Sequence, residues 1–422
     1  MKHKKLWIFV WVLGAVIFAE MFFYYFIRTE KIDVFGKKTK QERQIKGTVW
    51  GISDLDRTAE VKDFGSLWTR VELHWNDVKQ NSWQGFIDKI NALDSQKIIV
   101  TVFSDSRADT VCPTDFQGFS CPPLTQEKYQ EFLRGALDKS GQKVKFWQIE
   151  DRVFDKNGRW KGNQEQYATL LSSARKTIKS ASKDNAIILA GIALGNIDVK
   201  NANNAPFKEI ENGIDYIFQK SKNDFDIVDL HLFSGLSSVA ERVEWLQNKM
   251  KAKIFLKPIW SLEMSGPDLT FSEYSEDIQA QEVAKRFLIG FEAGLEKILY
   301  YHWQDKEGAK IDPLQATVGL LKISGAPKPA YTAFKIFVQN LSGFNYLKRL
   351  DLGEGVFGYQ ISFSKNSVKK PLFVFWSESE FALTLPLEIK DNAQAIDYLG
   401  NKVAITDGKI TIDSQPIYVL VK

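Results

Sequence analysis

From Gly47 onward, short β-branched or aromatic runs alternate with stretches whose apolar residues recur at helical spacing. Eight such runs can be read, at 48–52, 67–73, 97–103, 144–149, 186–192, 227–233, 257–262 and 298–303. The segment 166–181 between two of them places Leu170, Leu171, Ala174 and Ile178 on one helical face. This alternation is that of βα units around a parallel sheet. Eight units in about 280 residues predict a (β/α)8 TIM barrel, whose active site forms where the strands end. An open doubly wound sheet is the competitor, and the lack of a Gly-rich phosphate turn after any run speaks against it. Beyond a helix at 329–341 the texture shifts to short alternating strands at 358–363, 372–376, 381–385, 409–412 and 417–421, predicting a C-terminal antiparallel β domain. No internal repeat or low-complexity tract is evident.

The N-terminus follows a different rule. Residues 6–27 are apolar apart from Glu20, long enough to cross a hydrocarbon core of about 30 Å. Met21-Phe22-Phe23-Tyr24-Tyr25 offers no small-residue cleavage site, so an uncleaved, single-pass transmembrane anchor is expected. Glu20 fits the far interface or a contact with a partner helix. Residues 28–46 are charged and polar without an apolar period and read as a tether. The expected organisation is a tail at 1–5, anchor at 6–27, tether at 28–46, barrel at 47–342 and β domain at 343–422.

Charge does not orient the anchor, since Lys2, Lys4 and Lys5 flank one end while Arg28, Lys31 and Lys37 begin a basic series at the other. Cys112 and Cys121 lie in a turn-rich loop with Pro113, Gly118, Pro122 and Pro123. They could close a short disulfide, which would place the domain outside the cytosol, or remain free thiols.

With 422 residues, 44% of them hydrophobic, the chain can build one large core and a smaller one. Aromatics at 13%, including 12 Trp, suit stacking on sugar rings as well as large aromatic cores. Net charge is +4 from 56 basic and 52 acidic residues, which excludes the field a nucleic-acid partner would need. The ends of the runs concentrate polar and aromatic groups: Trp50, Arg70, His74, Trp75, Asp105, Glu150, Asp151, Arg152, His231, Glu263, His302, Trp303 and Asp305. A barrel would gather them at one mouth. Three of the four histidines are among them, although any one alone could be a core or rim residue.

At these residues the chain resembles the clan A glycoside hydrolases, and is most similar to the family thirty-nine type. The likeness runs from about Gly47 to the C-terminus. Leu67-Trp68-Thr69-Arg70 with His74-Trp75 resembles that family's second strand, and Lys145-Phe146-Trp147-Gln148-Ile149 the approach to its Asn-Glu pair on strand four. Gln166-Tyr167-Ala168 and Ala190-Gly191 resemble the stretch that follows. Residues 226–231, Lys257-Pro258-Ile259-Trp260-Ser261-Leu262-Glu263 and Lys328-Pro329-Ala330-Tyr331 resemble the sixth strand, the seventh strand and the segment closing the barrel. Trp376 and Asp397-Tyr398-Leu399-Gly400-Asn401 are similar to its accessory β module, here read as structural.

The resemblance implies a retaining glycosidase acting on a surface or extracellular polysaccharide. Such enzymes use two carboxyl groups about 5 to 5.5 Å apart and need neither metal nor cofactor. Glu263, after an apolar run and before Ser265-Gly266-Pro267, fits the nucleophile; a salt-bridged strand-end acid is the plain alternative. Where the family has Asn-Glu the chain has Asp151-Arg152, and a guanidinium cannot act as a general acid. Three replacements are open. Glu150 is expected about 6.6 Å deeper on the face of Arg152 and paired with it, unless the register shifts by two and makes it the donor. Asp151 could turn inward if the strand end is irregular, as could Asp155. Arg152 could instead hold an anionic sugar or phosphate, as in a carbohydrate-binding protein that no longer cuts. Substrate contacts are expected from Trp50, Arg70, His74, Trp75, Arg152, His231, Trp260, His302 and Trp303. No metal is expected, because no His/Cys/Asp cluster has ligand spacing in the sequence.

Overall fold

In the computed structural model the described residues are 42–421, apart from 56–57, 66, 95, 113–117, 196, 201–203, 270–273, 308–316, 365–366, 368 and 388–392. The expected tail, anchor with Glu20, and tether up to residue 41 lie outside them. Among the described residues no helix is long and apolar enough to cross a membrane.

The tether is shorter than the sequence suggested, because its end is already folded. Strand β1 (Arg43–Gln44) pairs antiparallel with the C-terminal domain, and Ile45 is buried. Alternation of one apolar residue within charged neighbours was too short to register as a strand.

The parallel strands are β2 (Trp50–Ser53), β3 (Trp68–His74), β4 (Lys97–Phe103), β5 (Val144–Ile149), β6 (Ala186–Ile188), β7 (Ile192–Ala193), β8 (Val228–His231), β9 (Ile259–Met264) and β10 (Leu295–Tyr300). Their order is β6-β5-β4-β3-β2-β10-β9-β8-β7. In β4 every residue after Lys97 is buried, the near-continuous apolar run of a strand covered on both faces. The two ends of this sheet, β6 and β7, are successive pieces of one expected run, broken at Leu189-Ala190-Gly191. Ile188 bridges Ile227 and Ile192 pairs with Leu230, so the break still joins the sheet's two ends.

Helices α1 (Trp75–Asn81), α2 (Gln84–Ala92), α3 (Gln126–Ser140), α4 (Gln164–Ala181), α5 (Ala205–Lys220), α6 (Leu236–Ala252), α7 (Glu276–Ala293) and α8 (Pro329–Leu341) pass between the strands or follow the last. A 3-10 stretch, Thr58–Phe64, connects β2 to β3. Helix α4 starts two residues before the apolar period because Asn163 and Gln166 form a reciprocal capping box.

The C-terminal domain comprises β11 (Phe344–Arg349), β12 (Val356–Phe363), β13 (Leu372–Ser377), β14 (Leu383–Pro386), β15 (Ala393–Asp397), β16 (Lys402–Val403), β17 (Lys409–Ile412) and β18 (Ile417–Val421). Its main sheet runs β1-β11-β12-β13-β18-β15-β16, and β14 pairs with β17. Phe373, Phe375, Ile410, Ile412 and Val419 form its own small core. The seam with the barrel is aromatic and polar: Tyr359 donates to Glu292 at 2.6 Å, and Trp50 stacks on Phe344 at 5.7 Å.

That stacking corrects one expectation. Trp50 opens β2 at the end away from the mouth and is sealed under the C-terminal domain, so it does not line the mouth. Trp75 is likewise buried, stacked on Phe132 of α3 at 5.1 Å. Trp260 packs against Trp68 and Phe146 inside the barrel near the strand starts. Large aromatic rings here fill volume between strands and helices.

Candidate active site

Glu263 sits near the end of β9 and is nearly buried. Arg70, the third residue of β3, reaches across the barrel interior and donates to its Oε1. His231, the last residue of β8, places Nδ1 3.2 Å from Oε2. Both carboxylate oxygens are therefore held by cationic side chains. Burial pushes the Glu263 carboxyl above its ordinary value, and the charges of His231 and Arg70 pull against that. Burial also opposes the Arg70 charge, but Glu263 and Asp151 outweigh it and keep that guanidinium firmly protonated.

His231 is itself fixed from behind. Its Nε2 lies 3.0 Å from Asp229, whose two oxygens accept from Gln148 at 2.7 Å and from the Leu262 amide at 2.8 Å. Burial disfavours the imidazolium, yet Glu263, Asp151 and Asp229 together raise its pKa to about 9. Asp229 and Gln148 were not singled out from the sequence. Their signal was present: Asp229 shares the inward face of β8 with His231, and a fully buried carboxylate must be paired.

The end of β5 settles where the acidic residues point. Glu150 and Arg152 both adopt left-handed backbone, with φ of 62° and 50°, so the strand's alternation breaks. Asp151 turns inward, with Oδ1 3.5 Å from His231 Nε2 and Oδ2 4.0 Å from Arg70. One ligand-type atom from each of Asp151, His231 and Glu263 lies within 4.8 Å of the others. Gly191, at the break between β6 and β7, makes room: a Cβ there would sit 2.2 Å from His231 Nε2 and 2.4 Å from Asp151 Oδ1.

Glu150 does not reach this cluster. Its carboxylate accepts from the Ser104 amide at 2.6 Å and is close enough to buried Tyr129 and Tyr167 to perturb both hydroxyls. Burial raises its pKa to about 8. The expected Glu150–Arg152 pair is absent as well, because Arg152 binds Asp155 at 2.5 Å. Of the three open replacements, only Asp151 is brought to Glu263.

The rim adds a second charged group. His74 bridges Asp105 at 2.7 Å and Glu72 at 3.2 Å while stacking on Phe103 at 4.7 Å. Burial opposes its charge, but the bonds to Asp105 and Glu72 lift its pKa to about 9. Burial would raise Glu72, and His74, Arg70 and Arg159 bring it down to about 2. Asp305 is tied to Lys328 at 2.5 Å, away from this group. His302 is buried behind the mouth, its ring 4.7 Å from that of Tyr301. Trp303, expected as a sugar platform, is buried edge-on to Phe64 at 6.4 Å and against Tyr331 at 6.0 Å. Phe233, half-buried beside His231 and Tyr301, is the aromatic ring at the mouth that the sequence reading passed over.

The fold thus assembles the acidic cluster that linear spacing did not reveal. Asp151, His231 and Glu263 could bridge a metal ion by distance. Arg70 and a histidine charged up to about pH 9 already supply positive charge there, which disfavours one.

Cys112 and Cys121 are joined by a disulfide, with Cα atoms 5.5 Å apart.

No protein-family model matches the chain, and no curated protein matches it. Solved structures do. A family 39 glycoside hydrolase from the gut symbiont Bacteroides cellulosilyticus WH2 superposes with a TM-score of 0.66 at 15% identity, covering 90% of this chain and 83% of that one. A glucosidase from Croceicoccus marinus gives 0.64 at 12% identity, covering 90% and 96%. A family 39 β-xylosidase from Caulobacter crescentus gives 0.59 at 12% identity, covering 91% and 98%. The chain therefore has the β/α barrel and antiparallel C-terminal domain of a family 39-like glycoside hydrolase fold, as its motifs suggested. At these identities the likeness concerns the fold.

Proposed function

We propose that the protein is a retaining glycosidase, or transglycosylase, with Glu263 as nucleophile and Asp151 as the proton donor. The observation that carries this reading is the approach of the two carboxylates, whose facing oxygens lie within 4.8 Å. Carboxyl groups about 5 to 5.5 Å apart suit a double displacement at the anomeric carbon. A Glu263 oxygen bonds to that carbon as the glycosidic C–O bond breaks, and Asp151 passes a proton to the leaving oxygen. Asp151 then takes a proton from water, the water oxygen bonds to the same carbon, and Glu263 leaves. Arg70 and His231 hold Glu263 in one orientation throughout.

A glucosidase and a β-xylosidase share this fold, which makes glucosides and xylosides the first substrates to try. The test is incubation of the full chain with 2-fluoro aryl glucosides and xylosides, followed by peptide mapping. A mass increment on Glu263 is expected. Labelling elsewhere, or turnover without any trapped intermediate, overturns the assignment.

A second reading, glycan binding without cleavage, is favoured by the cations at both Glu263 oxygens and by Arg152 where an acid would stand. Its signature is saturable glycan affinity that survives Glu263→Gln with no product released. In either case residues 6–27 would hold the barrel at a membrane, with its mouth outside the cytosol. The Cys112–Cys121 disulfide supports that compartment, because such bonds persist where the surroundings are oxidising.

A further inference from the structure

The end of the barrel opposite the mouth carries an exposed apolar pair. Between α6 and β9, Ile254 is 89% exposed and Leu256 is 63% exposed. The residue between them, Phe255, folds back against Phe218 at 5.1 Å and Phe225 at 6.2 Å. The loop is thus pinned by its middle residue while its neighbours project outward. Ile254 has φ 60°, a conformation that β-branched side chains disfavour. Bonds from its amide to Lys251 at 3.0 Å and from Phe255 to Met250 at 3.2 Å hold it there. Single exposed aliphatics are ordinary on a surface; two presented together on a pinned, strained turn are not.

The surroundings are cationic. Lys251 and Lys253 flank the pair, and Lys222 reaches the Lys253 carbonyl at 3.4 Å. Lys176 of α4 and Lys183 just beyond it line a neighbouring cleft with Asp224 at its wall, and Asp226 is engaged by the cleft's Arg175 at 3.5 Å and Lys179 at 2.8 Å.

The chain also enters the fold at this end. Arg43 on β1 donates to the Phe291 carbonyl near the end of α7, and Gln247 of α6 donates to Ala293 at 3.3 Å. Gln247 precedes Ile254 by about 10 Å of helix rise and turn. Residues 28–42, which lead here from the apolar run, span at most about 50 Å when extended.

We infer that this face rests on an anionic lipid bilayer, with Ile254 and Leu256 entering the interface and the lysines on the headgroups. The inference rests on the membrane-anchoring reading only for the nearness of the tether. Strands of about 20 Å separate this face from Glu263, so docking would turn the mouth away from the lipid and toward a polymer beyond it.

The test uses the full chain reconstituted into phosphatidylcholine vesicles with or without phosphatidylglycerol. The two native cysteines are joined, so Ile254→Cys supplies a single free thiol for a fluorescent label, and Phe381→Cys, 70% exposed on the C-terminal domain, supplies the control. In phosphatidylglycerol vesicles the label at 254 should be shielded from iodide several-fold more than that at 381. Combining it with Lys251→Glu and Lys253→Glu should restore iodide access, since each lysine at an anionic surface is worth roughly fivefold in affinity. If the chain pellets with vesicles but 254 is as open to iodide as 381, docking is overturned while anchoring stands. Equal shielding on phosphatidylcholine alone also overturns it and points to the chain's own first 41 residues as the cover. Failure to pellet at all sinks the anchor and the docking together.

Discussion

Replacing Glu150 by Gln should make the protein more stable, and only as the pH rises. The Glu150 carboxyl is buried, accepts one amide bond from Ser104, and has its pKa raised by burial from 4.5 to about 8. Between those values the folded protein keeps a proton that the unfolded chain releases, so stability is full below 4.5 and falls as pH climbs toward 8. Each pH unit costs about 1.4 kcal/mol, or up to about 5 kcal/mol across the interval. Glutamine keeps the acceptor for Ser104 and never ionises. The variant and the parent should therefore melt together near pH 4, and diverge until the variant melts up to about 6 °C higher at pH 8, given the unfolding entropy of a chain of this length. The measurement is the difference between the two melting curves at several pH values, which cancels every other titrating group. Parallel curves across the range would refute the assignment of a buried, proton-holding Glu150.

Other expectations follow from neighbouring geometry. Gly191→Ala drives a methyl group into His231 and Asp151 and should lower the proposed glycosidase activity by more than about 100-fold, read as kcat/KM, with far-UV dichroism unchanged. His74 has its folded pKa raised to about 9, so its pairing contributes fully below 6.5 and is lost as pH rises through 9; His74→Gln should cost up to about 3 kcal/mol at pH 6 and little at pH 9.5, measured by denaturant unfolding. Replacing both Cys112 and Cys121 by Ser opens a loop of sequence separation 9 and should cost about 2.5 kcal/mol, with parent and variant converging under reductant.

The barrel was legible because its strands are apolar on both faces and its helices are periodic. The 97–103 and 144–149 runs coincide with β4 and β5. The fifth strand does not run continuously as expected, since nothing in Leu189-Ala190-Gly191 announces that the backbone must part to admit His231 of β8 and Asp151 beyond the end of β5. The aromatic residues were harder. Trp50, Trp75, Trp260 and Trp303 lie within a few residues of strand ends, but whether a ring faces the mouth, the helices or the second domain depends on long-range packing. Glu263, Arg70 and His231 were found from their positions at strand ends, and they do meet. The inward turn of Asp151 was only one of several open cases, because left-handed backbone at a glutamate and an arginine leaves no glycine to mark it.

The pairing of Asp151 with Glu263 is the central claim, and it is tested most directly by the leaving-group dependence of Asp151→Asn. Aryl glycosides spanning good to poor leaving groups would be hydrolysed by the variant and the parent side by side. If Asp151 delivers the proton, poor leaving groups should slow by about 10²- to 10⁴-fold while activated ones are barely affected in the first step. A uniform loss across the series, or none, would contradict the account and leave Glu263 without its partner.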